Sequence, residues 1–138
     1  FCSTHDIHPY VELKSNITQA RVYELMDIVD KYNMRDKTSW VSFNITYLQY
    51  MKNADPKAEL GLNTFDVNDN TYNLMQKLKT SENTLFLSIN TSCLNSELIQ
   101  KCKLQNIPIG VWICDTRDEV FQLDPYISTV TTNKVLLD

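Results

Sequence analysis

A parallel α/β fold is what this chain predicts, and three features carry the prediction. Short β-rich runs alternate with segments of helical period from one end to the other. The alternation repeats about six times, at roughly 20 to 25 residues per unit. No Pro-, Gly- or Ser-rich linker and no low-complexity tract divides the units, so residues 1–138 read as a single domain. Strands joined through a helix re-enter the sheet in the same direction and must run parallel. Periodicity alone leaves both a barrel and an open doubly wound sheet possible. A dinucleotide fingerprint and a P-loop are excluded, because the chain has only 2 glycines and no glycine-rich turn after its first strand.

The first unit opens with "PYVELK" as a strand. A helix follows from Ile17 to about Asn33, where Val22, Leu25, Met26 and Val29 recur at helical spacing, with Asn16 as the expected N-cap. "SWVSFN" is the second strand. Asn44 caps the next helix, whose expected buried face is Tyr47, Tyr50, Met51 and Ala54, and Pro56 ends it. "AELGLN" is a weaker strand, followed by a polar loop and a short helix aligning Leu74, Met75 and Leu78. "TLFLSIN" is a strong strand, and the segment from Ser96 to Asn106 aligns Leu98 and Cys102. "PIGVWICD" comes next. "TRDE", Thr116 to Glu119, has the capping-box pattern and opens a last short helix before the strand "ISTVTTN".

Composition narrows the function classes. At 138 residues and 43% hydrophobic content the chain can bury one core. A net charge of −4 with dispersed Lys and Arg offers no basic field, which argues against nucleic acid as a partner. No apolar run approaches the roughly 18 to 20 residues of a transmembrane segment, and no charged-then-apolar signal pattern opens the chain. A soluble protein is expected, in the cytoplasm or outside the cell. Cys2, Cys93, Cys102 and Cys114 lie far apart, without zinc-site or dithiol spacing, and read as buried reduced thiols. The sequons at Asn16, Asn44 and Asn90 read as chance matches in an asparagine-rich chain.

Within the first strand, Glu12 and Lys14 stand two residues apart and therefore on one face, with His8 and Tyr10, while Pro9, Val11 and Leu13 face the helices. An ordinary ion pair on a half-exposed strand would explain them, and so would a shared site for a cation and a phosphate. Trp112 in "VWICD" reads equally as core or as a ligand contact.

Taken in order, "YVELK", "WVSFN" with "DPKAELGL", "IPIGVWICD" and "ISTVTTNKV" resemble the later strands of the glycerophosphodiester phosphodiesterase family, over nearly the whole chain. The resemblance implies a (β/α)8 TIM-barrel type fold, present here as about six βα units corresponding to strands 3–8, the C-terminal portion of the family's barrel. It implies a metal-binding role for Glu12, a substrate-phosphate contact and catalytic role for Lys14, and packing of Trp112 against the glycerol moiety. Ser42 and Phe43 match the "SF" of the family's next strand.

The family's first two strands are expected to carry a His-Arg pair and a Glu-x-Asp pair, followed by His-Asp, and none of these precedes "YVELK". The expected barrel thus lacks two strands and has two unpaired edges, and a chain that opens at Phe1 rather than Met reads as processed or as a piece of something longer. His5 is too near the Glu-Leu-Lys strand to match the family's His-Asp, and His8 is expected near the barrel floor. Asn133 stands where the family often has Asp after Thr, and Ile113 replaces the Thr of Val-Trp-Thr. A divalent cation, Ca2+ or Mg2+, is expected only with ligands from the missing strands, since Glu12 is a single carboxylate.

The implied activity is metal-dependent hydrolysis of glycerophosphodiesters to glycerol 3-phosphate and an alcohol, with a deacylated phospholipid or a glycerol-phosphate polymer as substrate. The chain would be inactive alone, its partner being the missing N-terminal barrel segment or a second chain. The competing expectation is a catalytically degenerate barrel, a binding or structural module in a cell-surface or phage assembly.

Overall fold

The structure, a computed structural model, describes residues 1–134. Val135, the last residue of the "ISTVTTNKV" motif, lies outside the described residues. The strands are β1 (Tyr10–Glu12), β2 (Ser39–Ser42), β3 (Glu59–Thr64), β4 (Leu85–Asn90), β5 (Ile109–Trp112) and β6 (Ile127–Thr131). The helices are α1 (Cys2–His5), α2 (Gln19–Lys31), α3 (Ile45–Ala54), α4 (Asp69–Leu78), α5 (Ser96–Gln105) and α6 (Arg117–Phe121). All neighbouring strands pair parallel, in the spatial order β1-β2-β3-β4-β5-β6.

That order decides between the two architectures. A doubly wound sheet reverses its strand order at a switch point. Here the order never reverses, so right-handed crossovers put the connecting helices on one face and the sheet curls around the other. The Tyr10 hydroxyl of β1 accordingly reaches the Ser88 hydroxyl of β4 at 3.3 Å across the concave face. The molecule is a six-stranded parallel half-barrel whose edges are β1 and β6.

The core lies between the convex face and the helices. Leu60, Leu62, Leu87, Ile89, Ile109 and Val111 alternate along β3, β4 and β5 and meet Val22, Met26, Leu48, Met51, Met75 and Leu78 from α2, α3 and α4. Burial at the level of these side chains stabilises the fold by roughly 1.5–3 kcal/mol each. In α3 the buried pair is Leu48 and Met51, with Tyr47, Tyr50 and Ala54 only partly covered. Trp40 of β2 is 1% exposed and belongs to the same core.

Caps mark the helix starts. Asn44 accepts from the Thr46 backbone N–H at 2.9 Å. Thr116 and Glu119 form a reciprocal capping box at α6, and an unforeseen one joins Asn68 and Thr71 at α4. The expectation of Asn16 as the cap of α2 is incorrect. Asn16 has φ 54°, a left-handed loop conformation, whereas extended Thr18 accepts from the Arg21 N–H at 3.3 Å and starts the helix two residues later. Among the cysteines, Cys102 and Cys114 are buried and Cys2 and Cys93 partly exposed, and all four are free. Burial pushes the Cys102 and Cys114 thiols up from their ordinary pKa, as befits unreactive packing groups. No described helix is long and apolar enough to cross a membrane.

Candidate active site

The concave face carries two openings along its length. One, at the floor, is a cavity of about 790 Å³ lined by His8, Tyr10, Glu59 and Phe86 among others. The second, about 530 Å³, lies toward the C-terminal strand ends and is lined by Glu12, Lys14, Asn63, Ser88 and Trp112, with Phe43 and Phe65 at the tips of β2 and β3. Parallel barrels place their chemistry at that end, where loops and strand termini from several units converge.

Glu12 ends β1 opposite Val41, with its side chain on the same face as Tyr10. Lys14 lies just beyond the strand, and its Nζ is 3.2 Å from Glu12 Oε2. The two therefore converge, and Lys14, with 74% of its side chain exposed, is free to swing toward an anion while Glu12, at 31%, is more enclosed. An exposed pair of this kind is worth about 0–1 kcal/mol to stability, so folding does not require it. Trp112 ends β5 opposite Asn90 on one side and Thr131 on the other, which carries its indole to the same cavity.

Sequence reasoning missed Asn63. It lies in β3, 8% exposed, and its Nδ2 donates to Glu12 Oε1 at 3.4 Å. Asn63 Oδ1 and Trp112 Nε1 are both buried without a hydrogen-bond partner among the described residues. Leaving such a group unpaired costs about 1–3 kcal/mol, a cost that functional sites bear for a ligand or a completing segment. The available signal was the inward parity of residues 59, 61 and 63 in β3, which places the Asn63 amide on the concave face, opposite the apolar Leu60 and Leu62.

The donor set bears on the implied cation. The Glu12 carboxylate and the Asn63 amide oxygen are hard donors of the class that Ca2+ and Mg2+ take, with no thiol or imidazole beside them. No group of three His, Cys, Asp or Glu side chains able to hold an ion occurs among the described residues. These residues fit part of a coordination shell of six or more oxygens, the remainder having to come from outside them.

The histidines lie elsewhere. His5, in α1, stacks on Phe1 at 4.2 Å between centroids and bonds Thr4 Oγ1 at 2.9 Å. His8 is at the floor, at the opposite end from Glu12. Asn133 is bound to Asp115, its backbone N–H donating to Oδ1 at 2.7 Å and its Nδ2 to Oδ2 at 3.3 Å, while Thr132 Oγ1 donates to Oδ1 at 3.1 Å. Those bonds hold the Asp115 carboxyl below its usual range.

No sequence-family model matches the chain, and the curated proteins contain no match either. Solved structures do match. A glycerophosphodiester phosphodiesterase from Parabacteroides distasonis is 19% identical with a TM-score of 0.72, covering 94% of this chain and 54% of its own. A phosphodiesterase from Oleispira antarctica, solved in complex with the product sn-glycerol-3-phosphate, is 15% identical with a TM-score of 0.81, covering 94% of this chain and 53% of its own. The chain spans about half the length of the structures it matches, and over that half it has the fold of the glycerophosphodiester phosphodiesterases.

Proposed function

We propose that this chain is the C-terminal part, strands 3–8, of a barrel that hydrolyses glycerophosphodiesters to glycerol 3-phosphate and an alcohol, and that it is inactive alone. The observation that carries the reading is the convergence of Glu12, Lys14 and Trp112 on one cavity at the C-terminal mouth. Its fold-level likeness to an enzyme solved with sn-glycerol-3-phosphate supports the same substrate class.

In the proposed step a water oxygen bonds to phosphorus, the P–O bond to the alcohol breaks, and the alcohol leaves with a proton. Lys14 pairs with the phosphoryl oxygens and offsets the charge that builds on them. Trp112 packs against the glycerol carbons and shields them from water. Glu12, held by the Asn63 amide, would offer a carboxylate oxygen to a Ca2+ or Mg2+ ion, and the chemistry such an ion would supply is polarisation of the phosphoryl group. Proton transfer falls to histidines of the first two strands, because His5 and His8 are both remote from the mouth.

The test supplies two βα units in trans, from the sequence encoded upstream or from a related enzyme, and measures glycerol 3-phosphate release with Ca2+ or Mg2+. Turnover that Lys14→Ala abolishes is the expected result. A demonstrable complex without turnover would favour the other reading, a degenerate barrel acting as a binding or structural module.

A further inference from the structure

Asp115 lies just past the end of β5, and the reading above gives it no role. Its carboxylate is nonetheless engaged on both oxygens by donors 17 and 18 residues away in the sequence. Oδ1 accepts from the Asn133 backbone N–H and the Thr132 hydroxyl, and Oδ2 accepts from Asn133 Nδ2. Closure of the turn after β6 does not need these bonds, because the Lys134 N–H already donates to Thr132 Oγ1 at 3.0 Å. What they add is a tether from the end of β6 to the end of β5. Its hydrogen bonds are charge-assisted, a class roughly twice as strong as neutral ones.

β6 is the strand on which such a tether matters. It is an edge strand, paired on one side only among the described residues. Its pairing with β5 is also interrupted by a bulge, since Ile109 faces Ile127 but Gly110 faces Thr129, leaving Ser128 over. Register is set by pairing, and a slip of one residue turns every side chain to the opposite face. In the observed register Thr131 pairs with Trp112 and lines the same cavity, while Val130 packs on the helix-side core. The Cys114 N–H carries the ladder one step further, donating to the Thr131 carbonyl at 3.1 Å. A slip would bring Val130 or Thr132 beside Trp112 instead. Asp115 is itself held at its backbone, where its N–H donates to Glu119 Oε2 at 2.8 Å.

We propose that Asp115 is a positioning residue that locks the register of β6 beyond its bulge and so holds Thr131 and Trp112 in place at the mouth. The lock belongs to this chain alone, and its effect on substrate rests on the phosphodiester reading of Trp112. Trp112 reports on it directly, since Trp40, the other tryptophan, is sealed in the core.

Asn133→Asp sets two carboxylates against each other and is expected to red-shift Trp112 emission and to raise its quenching by acrylamide. Adding Asp115→Asn exchanges donor and acceptor across the pair, so the double variant Asp115→Asn/Asn133→Asp is expected to return both signals to those of the unaltered chain. Ile99→Val, a small loss in the helix-side core, controls for stability alone and is expected to move neither signal, with thermal melts checking that every variant folds. In the barrel completed in trans, Asn133→Asp is expected to raise KM about tenfold while kcat changes less than about twofold, as for a lost binding contact, and the exchange is expected to restore KM. Trp112 signals unmoved by Asn133→Asp, or not restored by the exchange, would overturn the lock. A fall in kcat at constant KM would overturn its action through the Trp112 contact. An unaltered completed barrel without turnover would remove the phosphodiester reading, and the Trp112 signals of the chain alone would still decide the lock.

Discussion

On the convex side of the sheet, Leu60, Leu87, Ile89 and Ile109 are 0% exposed beneath α3, α4 and α5. On the concave side, the same strands present Asn63, Phe86 and Ser88 to two open cavities, with Gly61 covered by the Phe86 ring and with polar atoms of Asn63 and Trp112 left without a partner among the described residues. One face is closed by side chains that lie nearby in the sequence. The other is half of an interior whose facing wall is not among the described residues. The contrast teaches that a half-barrel can carry a complete helix-side core and still leave its chemistry unfinished, because the two faces draw on different parts of the chain.

The sharpest way to break this comparison is to cut into each face. Leu60→Ala is expected to cost about 2–5 kcal/mol in denaturant unfolding, the range for a buried leucine whose surroundings cannot collapse. A loss below about 1 kcal/mol would mean the convex core is not the stabilising one. Gly61→Ala probes the other side, where an added Cβ would sit 2.3 Å from Phe86 Cζ and 2.7 Å from Val41 Cγ1. The expected cost is about 1–3 kcal/mol, relieved by a second change, Phe86→Leu. A near-neutral Gly61→Ala would show that the Phe86 ring moves freely into the floor cavity.

Smaller effects sharpen the same picture. Thr116→Ala removes the capping box of α6 and is expected to cost about 1 kcal/mol. Lys14→Ala should change stability by less than about 1 kcal/mol, since the Glu12–Lys14 pair is exposed, yet abolish turnover of the barrel completed in trans. Acid has the least effect. Hydrogen bonds from Thr116 to Glu119, from the Asn133 N–H to Asp115, and from Lys37 to Asp6 hold these exposed carboxyls below their usual values. A depressed folded pKa gives stability that is present above the unfolded value, near about 4, and lost as pH falls through the folded one. The melting temperature should therefore decline below about pH 4, and Glu119→Gln should remove its share of the decline.

Much of the helix-side architecture was legible because burial leaves a local record. Val22 and Met26, Leu98 and Cys102, and the alternation in "TLFLSIN" are one-sided patterns written within single elements. Glu12 and Lys14 were legible for the same reason, since two residues on one strand share a face whatever the rest of the fold does. The α2 cap was misread because Asn16 and Thr18 are both competent caps, and backbone dihedrals rather than residue type choose between them.

By itself, then, the sequence determined the alternation of six strands with helices from β1 onward, though not the opening helix α1, and the shared face of one acid and one base on the first strand. Only the tertiary structure decided that the sheet curls rather than lies open, that the ring of Phe86 covers Gly61, and that Asn63 reaches Glu12 across 51 residues. Those contacts join strands through curvature, and curvature comes from the cumulative twist and packing of the whole sheet, which no short window of residues encodes.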